Sequence, residues 1–167
     1  MVYLIPSVTA WRYTTTDPGN KGWTQSLPSW SSVTTGQFPT ASSTRYYANT
    51  VTVTESFKSK PVWEAFVYSA GGFILYINGE EVDRVNLPSY PIAAALTPRA
   101  NVGHNTLCLA EPPAPSWHRV TLPGIKYKSV TYLLVAVEMH PCTTSPVADE
   151  FKAIVLPSAL GACALRR

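Results

Sequence analysis

Hydrophobic and polar side chains alternate along residues 62–69, the pattern expected of a strand with one buried face. The alternation gives two faces: Val62, Glu64, Phe66 and Tyr68 on one, and Trp63, Ala65 and Val67 on the other. A glycine turn and a second strand follow. The dipeptide Asn78-Gly79 then predicts a tight hairpin, because both residues tolerate the positive φ of a type I′ turn. This part of the chain therefore predicts antiparallel β structure.

The rest of the chain continues the pattern of short strands separated by turns. Residues 14–44 are predicted to form one long loop that its tryptophans pin onto the core, and residues 92–96 are predicted to form a helical turn. Eight or nine strands without a helical period predict an all-β fold, an antiparallel β-sandwich of jelly-roll type. The further strands are predicted at residues 9–13, 45–53, 105–110, 117–122, 131–139 and 150–156.

The composition agrees with one folded β domain. The chain has 167 residues, 46% of them hydrophobic, which is enough for a substantial core. Charged residues make up only 14%, and 15 prolines favour turns and disfavour a helical bundle. We expect residues 1–157 to form a single domain and residues 158–167 to form a C-terminal tail.

Charge and hydropathy exclude two classes of partner. The net charge of +3 is spread along the chain, and no run of Lys and Arg is long enough to follow a phosphate backbone, so nucleic acid is not expected. No apolar run is long enough to span a bilayer, and the first six residues lack the features of a signal peptide. We expect no membrane insertion. We expect the chain to be part of a larger protein, with an extracellular or cell-surface location favoured.

The cysteines and acidic residues predict neither a metal site nor a cofactor. Cys108, Cys142 and Cys163 lack the CxxC spacing of metal ligands, and whether Cys142 pairs with Cys163 stays open. A calcium ion would need six to eight oxygen ligands. Asp17, or Asp149 with Glu150, would be the local candidates, and neither belongs to a recognisable calcium loop.

Four sequence motifs occur in the order typical of one known family. They are Trp11-Arg12-Tyr13 with Asp17-Pro18-Gly19, Gly22-Trp23 and Trp30; Tyr46-Tyr47; the hairpin of residues 73–88; and residues 134–140 followed by Asp149-Glu150-Phe151. In these motifs the chain resembles the galactose-binding-like (jelly-roll) β-sandwich domains. The resemblance implies a non-catalytic accessory module of a larger secreted or surface protein.

Glu138 and His140 form the one pair with the chemistry of acid–base catalysis. They are two residues apart on a predicted strand and therefore share a face. The resemblance implies that both lie in a scaffold strand, so we interpret them as a structural hydrogen-bond pair. No serine occurs in a GxSxG or similar nucleophile setting.

Carbohydrate binding is the most specific functional hypothesis that the sequence supports. Sugar sites combine an aromatic ring, which stacks on the C–H face of the sugar, with polar groups that bind the hydroxyls. The alternative interpretation is that the same rings cap the core, as we expect for Trp11 and Trp63 in strands. The candidate ligand-binding residues are Asn20, Trp23, Gln25 and Trp30 in the long loop, and Tyr90 and Trp117 beside proline-rich turns.

We therefore predict a non-catalytic recognition module that binds carbohydrate through loops at the end of the sandwich. The alternative function is a protein–protein interaction or assembly domain of a larger protein. Absence of a nucleophile motif disfavours an enzyme.

Overall fold

The structure is a computed structural model that describes five segments of the chain: residues 10–34, 44–69, 71–87, 116–140 and 156–157. Several predictions from the sequence lie outside these segments. They are the helical turn at 92–96, the strand at 105–110, most of the strand at 150–156, the three cysteines and the tail at 158–167.

The described residues form nine strands, two single-turn α-helices and one 3-10 turn. The strands are β1 (Ala10–Thr14), β2 (Ser31–Thr34), β3 (Arg45–Thr52), β4 (Val62–Ser69), β5 (Gly72–Ile77), β6 (Glu80–Val85), β7 (Ser116–Pro123), β8 (Tyr132–His140) and β9 (Leu156–Pro157). The helices are α1 (Glu55–Lys58) and α2 (Gly124–Tyr127), and the 3-10 turn is Gly22–Thr24. No helix in the described segments has the length and apolarity needed to cross a bilayer.

The strands form two antiparallel sheets, as predicted from the alternation. The six-stranded sheet has the order β2-β1-β3-β8-β5-β6, and the three-stranded sheet has the order β7-β4-β9. The main core is a single apolar cluster drawn from both sheets. It includes Trp11 and Trp63, which are 1% and 0% exposed, so both are core residues as predicted.

Strand β8 lies at the centre of the larger sheet, between β3 and β5, and is buried on both faces. One face joins the main core through Leu133, Val135 and Val137. The other face contributes Ala136 to a second apolar cluster, which includes Trp23 from the loop after β1. The larger sheet is therefore covered on both sides, which explains the uninterrupted apolar pattern of this strand.

The β5–β6 hairpin turns at Asn78 and Gly79, as the sequence predicts. Their φ values are 51° and 83°, both in the left-handed region that a type I′ turn requires. Asn78 also ties the turn to β8. Its backbone N–H donates to the Leu134 carbonyl at 2.9 Å, and its side-chain Oδ1 accepts from the Leu134 N–H at 2.8 Å.

Two local predictions differ from the structure. The predicted long loop contains β2, which pairs with β1 although Val33 is its only apolar residue. Backbone pairing, which needs no particular side chain, holds this strand at the edge of the sheet. The helices α1 and α2 also escaped prediction, because four residues are too few to show a helical period.

Substitutions at Asn78 separate two contributions to stability: the side-chain hydrogen bond to Leu134 and the tolerance of a positive φ. Asn78→Gly keeps the positive φ and removes the side-chain bond to Leu134, so we expect a loss of about 1 kcal/mol in the free energy of unfolding. Asn78→Ala removes the same bond and also puts at this positive φ a residue that tolerates the left-handed region less well than Gly or Asn, so we expect a loss about 1 kcal/mol larger than that of Asn78→Gly. Urea unfolding of both variants measures the difference. Equal stability of the two variants would contradict a positive-φ requirement at this position.

Candidate functional site

Of the six residues proposed from the sequence, the five that the structure describes lie in two separate parts of the fold. Four of them, Asn20, Trp23, Gln25 and Trp30, belong to the loop between β1 and β2, which packs on the outer face of the six-stranded sheet. Trp117 is the second residue of β7 in the other sheet and lies opposite Tyr68. Tyr90 lies outside the described residues.

Trp23 packs the loop onto the sheet. Its side chain is only 5% exposed, and its ring meets Tyr46 and Tyr76 edge-on, with centroids 5.5 and 5.7 Å away. Trp30 lies against it at 5.7 Å and is itself partly buried. Trp23 therefore caps the sheet, which is the alternative to a sugar-binding role for this ring. Its faces are covered by protein.

The polar residues of the loop also help to hold its shape. Asn20 Oδ1 accepts a hydrogen bond from the Gly22 N–H at 2.8 Å, closing a turn next to the 3-10 segment. Gln25 reaches the β5–β6 hairpin, where a Cβ added to Gly79 would lie 2.6 Å from its Cγ. The loop is therefore anchored at several points, while Asn20 and Gln25 remain exposed.

Trp117 belongs to an aromatic surface on the outer face of the three-stranded sheet, which we define as Phe66, Tyr68 and Trp117. Trp117 is directly opposite Tyr68 across the β4–β7 pair, and their ring centroids are 5.0 Å apart with the planes inclined by 51°. Phe66 is two residues from Tyr68 and therefore on the same face. Trp117 is 42% exposed, and the other two rings are partly exposed.

Charged side chains border the aromatic surface. Arg119 is opposite Phe66 in the strand register and shares the outer face with Trp117. Its Nη1 lies 3.7 Å from Glu64 Oε1; the Arg119 side chain is 61% exposed, and that of Glu64 is 12% exposed. The outer face thus offers aromatic rings, a guanidinium and a carboxylate side by side.

Sequence reasoning singled out Trp117 and missed Phe66, Tyr68 and Arg119. The alternation along residues 62–69 already places Phe66 and Tyr68 on one face with Glu64. The alternation alone does not indicate which face of β4 is exposed to solvent, because both faces carry large apolar side chains. The glutamate on this face is the sequence signal that favours solvent exposure.

Glu138 and His140 form the predicted hydrogen-bond pair and are almost fully buried. His140 Nε2 lies 2.6 Å from Glu138 Oε1, and the two residues are 3% and 0% exposed. The other ring nitrogen, Nδ1, lies 3.2 Å from the hydroxyl of Thr44, which is 2% exposed. The imidazole therefore bridges the Glu138 carboxylate and the Thr44 hydroxyl through its two ring nitrogens.

Two tyrosines beside this pair are held in the neutral form. Burial raises the pKa of Tyr46 and Tyr76 well above the ordinary phenol value of 10.0, and the nearby Glu138 carboxylate raises both further. The Tyr76 hydroxyl lies 3.5 Å from Glu138 Oε2 and donates to it. The cluster is a buried polar network on the face of the sheet that the loop covers.

The described residues contain no group of three or more His, Cys, Asp or Glu side chains that could hold a metal ion. Asp17, one of the calcium candidates, instead accepts a hydrogen bond from the Gly19 N–H at 2.8 Å. Asp149 and Glu150 lie outside the described residues.

No protein-family model and no curated protein sequence matches this chain. Among solved structures, a β-glucuronidase from Lactobacillus rhamnosus is similar over 80% of this chain and 20% of its own, with 13% sequence identity and a TM-score of 0.49. The β-glucuronidase of Ruminococcus gnavus in complex with uronic isofagomine is similar over 80% and 20%, with 14% identity and a TM-score of 0.47. This chain thus spans about a fifth of the length of these enzymes. The likeness is too distant to bear on function.

Removal of His140 tests the structural role of the buried pair. His140→Ala leaves the Glu138 carboxylate buried without its imidazole partner, so we expect the free energy of unfolding to fall by about 3 kcal/mol. Glu138→Gln keeps an oxygen that accepts from His140, and we expect a smaller loss of about 1 kcal/mol. Urea unfolding measures both. If neither variant unfolded at a lower urea concentration than the wild type, the pair would have no structural role.

The raised tyrosine pKa values predict a loss of stability at alkaline pH. The folded chain holds Tyr46 and Tyr76 neutral at pH values where the unfolded chain ionises them, so their contribution is complete below pH 10.0 and falls as the pH rises above it. Tyr76→Phe removes one of the two phenols, so its stability should fall less steeply with rising pH than that of the wild type. Thermal unfolding at a series of pH values from neutral to alkaline measures the slope.

Tyr132→Phe is the matched control for the alkaline series, because it removes a hydroxyl from a residue that is 60% exposed. A decline as steep in Tyr76→Phe as in the wild type and the control would exclude Tyr76 as a source of the pH dependence.

Proposed function

We propose that this chain is a non-catalytic recognition module of galactose-binding-like type that binds carbohydrate on the aromatic surface of its smaller sheet. The observation that carries the proposal is the exposed Trp117 ring inclined against Tyr68. The proposal rests on this surface and takes nothing from the distant likeness to β-glucuronidases.

The aromatic surface has the chemistry that a sugar ring requires. The C–H groups on one face of a pyranose are apolar and pack against an aromatic ring, while the hydroxyls at its edge need hydrogen-bond partners. Trp117 supplies the exposed ring, and Arg119 and Glu64 supply charged groups that form strong hydrogen bonds to neutral hydroxyls. Because these residues lie in paired strands, no loop has to be ordered when a ligand binds.

The non-catalytic part of the proposal is supported by the burial of the acid–base pair. Glu138 is 0% exposed and already accepts from His140, so a bound substrate would not reach its oxygens without opening of the sheet face. General acid–base catalysis needs the catalytic group within hydrogen-bond reach of the substrate. A buried structural pair does not meet this requirement.

The predicted domain limits belong to the same proposal. In this view residues 1–157 form one module within a larger secreted or surface protein, and residues 158–167 lead away from it. Weak binding at a single aromatic surface would gain strength from several modules acting on one polysaccharide.

A protein-binding role is the second candidate. It is favoured by exposed apolar side chains at the opposite end of β4, where Val62, Ile125 and Tyr132 are 36%, 65% and 60% exposed. Exposed apolar groups clustered at one end of a domain are typical of contacts between proteins or between domains. This candidate would use the end of the sandwich rather than the aromatic surface.

A glycan array followed by calorimetry tests the carbohydrate proposal. We expect the wild-type protein to bind at least one neutral glycan at millimolar concentration. Trp117→Ala should weaken this binding about tenfold, the equivalent of about 1.4 kcal/mol, because it removes the exposed stacking ring.

Tyr132→Ala is the matched control, since it removes another exposed aromatic ring from a different part of the fold. It should leave glycan affinity unchanged. No glycan bound at millimolar concentration would overturn the proposal and favour the protein-binding role. An equal effect of the two variants would show that the aromatic surface is not the site.

A further inference from the structure

A shallow basic cleft lies at the end of the sandwich where α1 meets α2, remote from the aromatic surface. Its volume is about 180 Å³, smaller than ordinary ligand pockets, so it suits a single small group rather than a whole ligand. We call it the end cleft and define it by its lining residues: Lys58, Ser59, Lys60, Pro61, Ile125 and Lys128.

The end cleft carries uncompensated positive charge. Lys58 is ion-paired with Glu55 at 2.8 Å, whereas neither Lys60 nor Lys128 has a carboxylate partner within the part of the chain that the structure describes. Both side chains are exposed. Two ammonium groups that line one concavity attract an anion into it more than two isolated surface lysines do.

The two rims of the cleft are held together by the core. Trp63 donates from its indole Nε1 to the Phe57 carbonyl of α1 at 2.9 Å and stacks on Tyr127 of α2, with centroids 5.6 Å apart. At the start of α2, a Cβ added to Gly124 would lie 2.5 Å from the Lys60 carbonyl oxygen, so the helix is pressed directly against the chain before β4. The lysines are therefore carried on a preformed scaffold.

We propose that the end cleft binds the anionic groups of a charged polysaccharide, either sulfate esters or uronic carboxylates. Lysine ammonium groups act as compact point charges toward such oxyanions. Ile125 is 65% exposed at the rim and offers an apolar contact for the C–H groups of a sugar. No aromatic ring occurs among the six lining residues, so the cleft lacks the stacking platform by which single-stranded nucleic acids are held.

The end cleft is a separate site from the aromatic surface. Pro61 and Tyr68 lie at the two ends of β4, about 23 Å apart for seven residues of extended strand. The two sites can thus be tested independently, and binding at one does not require binding at the other.

Binding of defined polymers at low salt tests the proposal. Dextran sulfate and polygalacturonate represent the two sources of negative charge, and uncharged dextran is the reference. We expect the wild-type protein to bind one or both anionic polymers in calorimetry, not to bind dextran, and to lose binding as salt screens the charges. The double substitution Lys60→Gln/Lys128→Gln should weaken binding about fivefold.

Lys21→Gln is the control for overall charge, because Lys21 is an exposed lysine in the loop on the other sheet. It should leave affinity for both anionic polymers nearly unchanged. Melting curves of all variants should overlay, since the substituted lysine side chains are exposed. Equal losses in Lys21→Gln and the double variant would overturn the proposal in favour of diffuse attraction. Tighter binding of single-stranded RNA than of either polysaccharide would overturn the assigned ligand class.

Discussion

The need to cover both faces of the six-stranded sheet governs the rest of this structure. Every residue of β8 after Tyr132 is buried, so the strand cannot present either face to water. The three-stranded sheet covers one face, and the loop between β1 and β2 covers the other through Trp23. Burial of these apolar faces is the main favourable contribution to the stability of the sandwich.

This constraint decides which aromatic residues are available for binding. Trp23 is not accessible to a ligand because its ring packs against Tyr46 and Tyr76 of the sheet. The smaller sheet has apolar residues on its outer face as well, and there the rings of Trp117 and Tyr68 remain accessible. One tryptophan, Trp23, thus covers the larger sheet, while another, Trp117, remains exposed on the smaller sheet.

The covered face also explains the buried polar network. Glu138 and His140 lie in β8 on the side that the loop covers, so their charges and dipoles must satisfy each other. Tyr76 completes the network and stays neutral in the folded chain. Glu138 and His140 have the residue types of an acid–base pair, but they serve a structural role because they lie on the covered face of the sheet.

The sequence by itself determined the features that depend only on residues adjacent in the chain. Asn78-Gly79 predicts its hairpin because the tolerance of positive φ is a local property of these two residues. The register of Glu138 and His140 on one face follows from the pleat of a strand.

Only the tertiary structure decided which face of β4 is open, that Trp23 is covered, and that lysines at or just after the ends of α1 and α2 share one cleft. Strand β2 likewise depends on β1, since its own residues carry little β signal. These features arise from contacts between segments far apart in the chain. A pattern of side chains along one segment does not report which other segment will cover it.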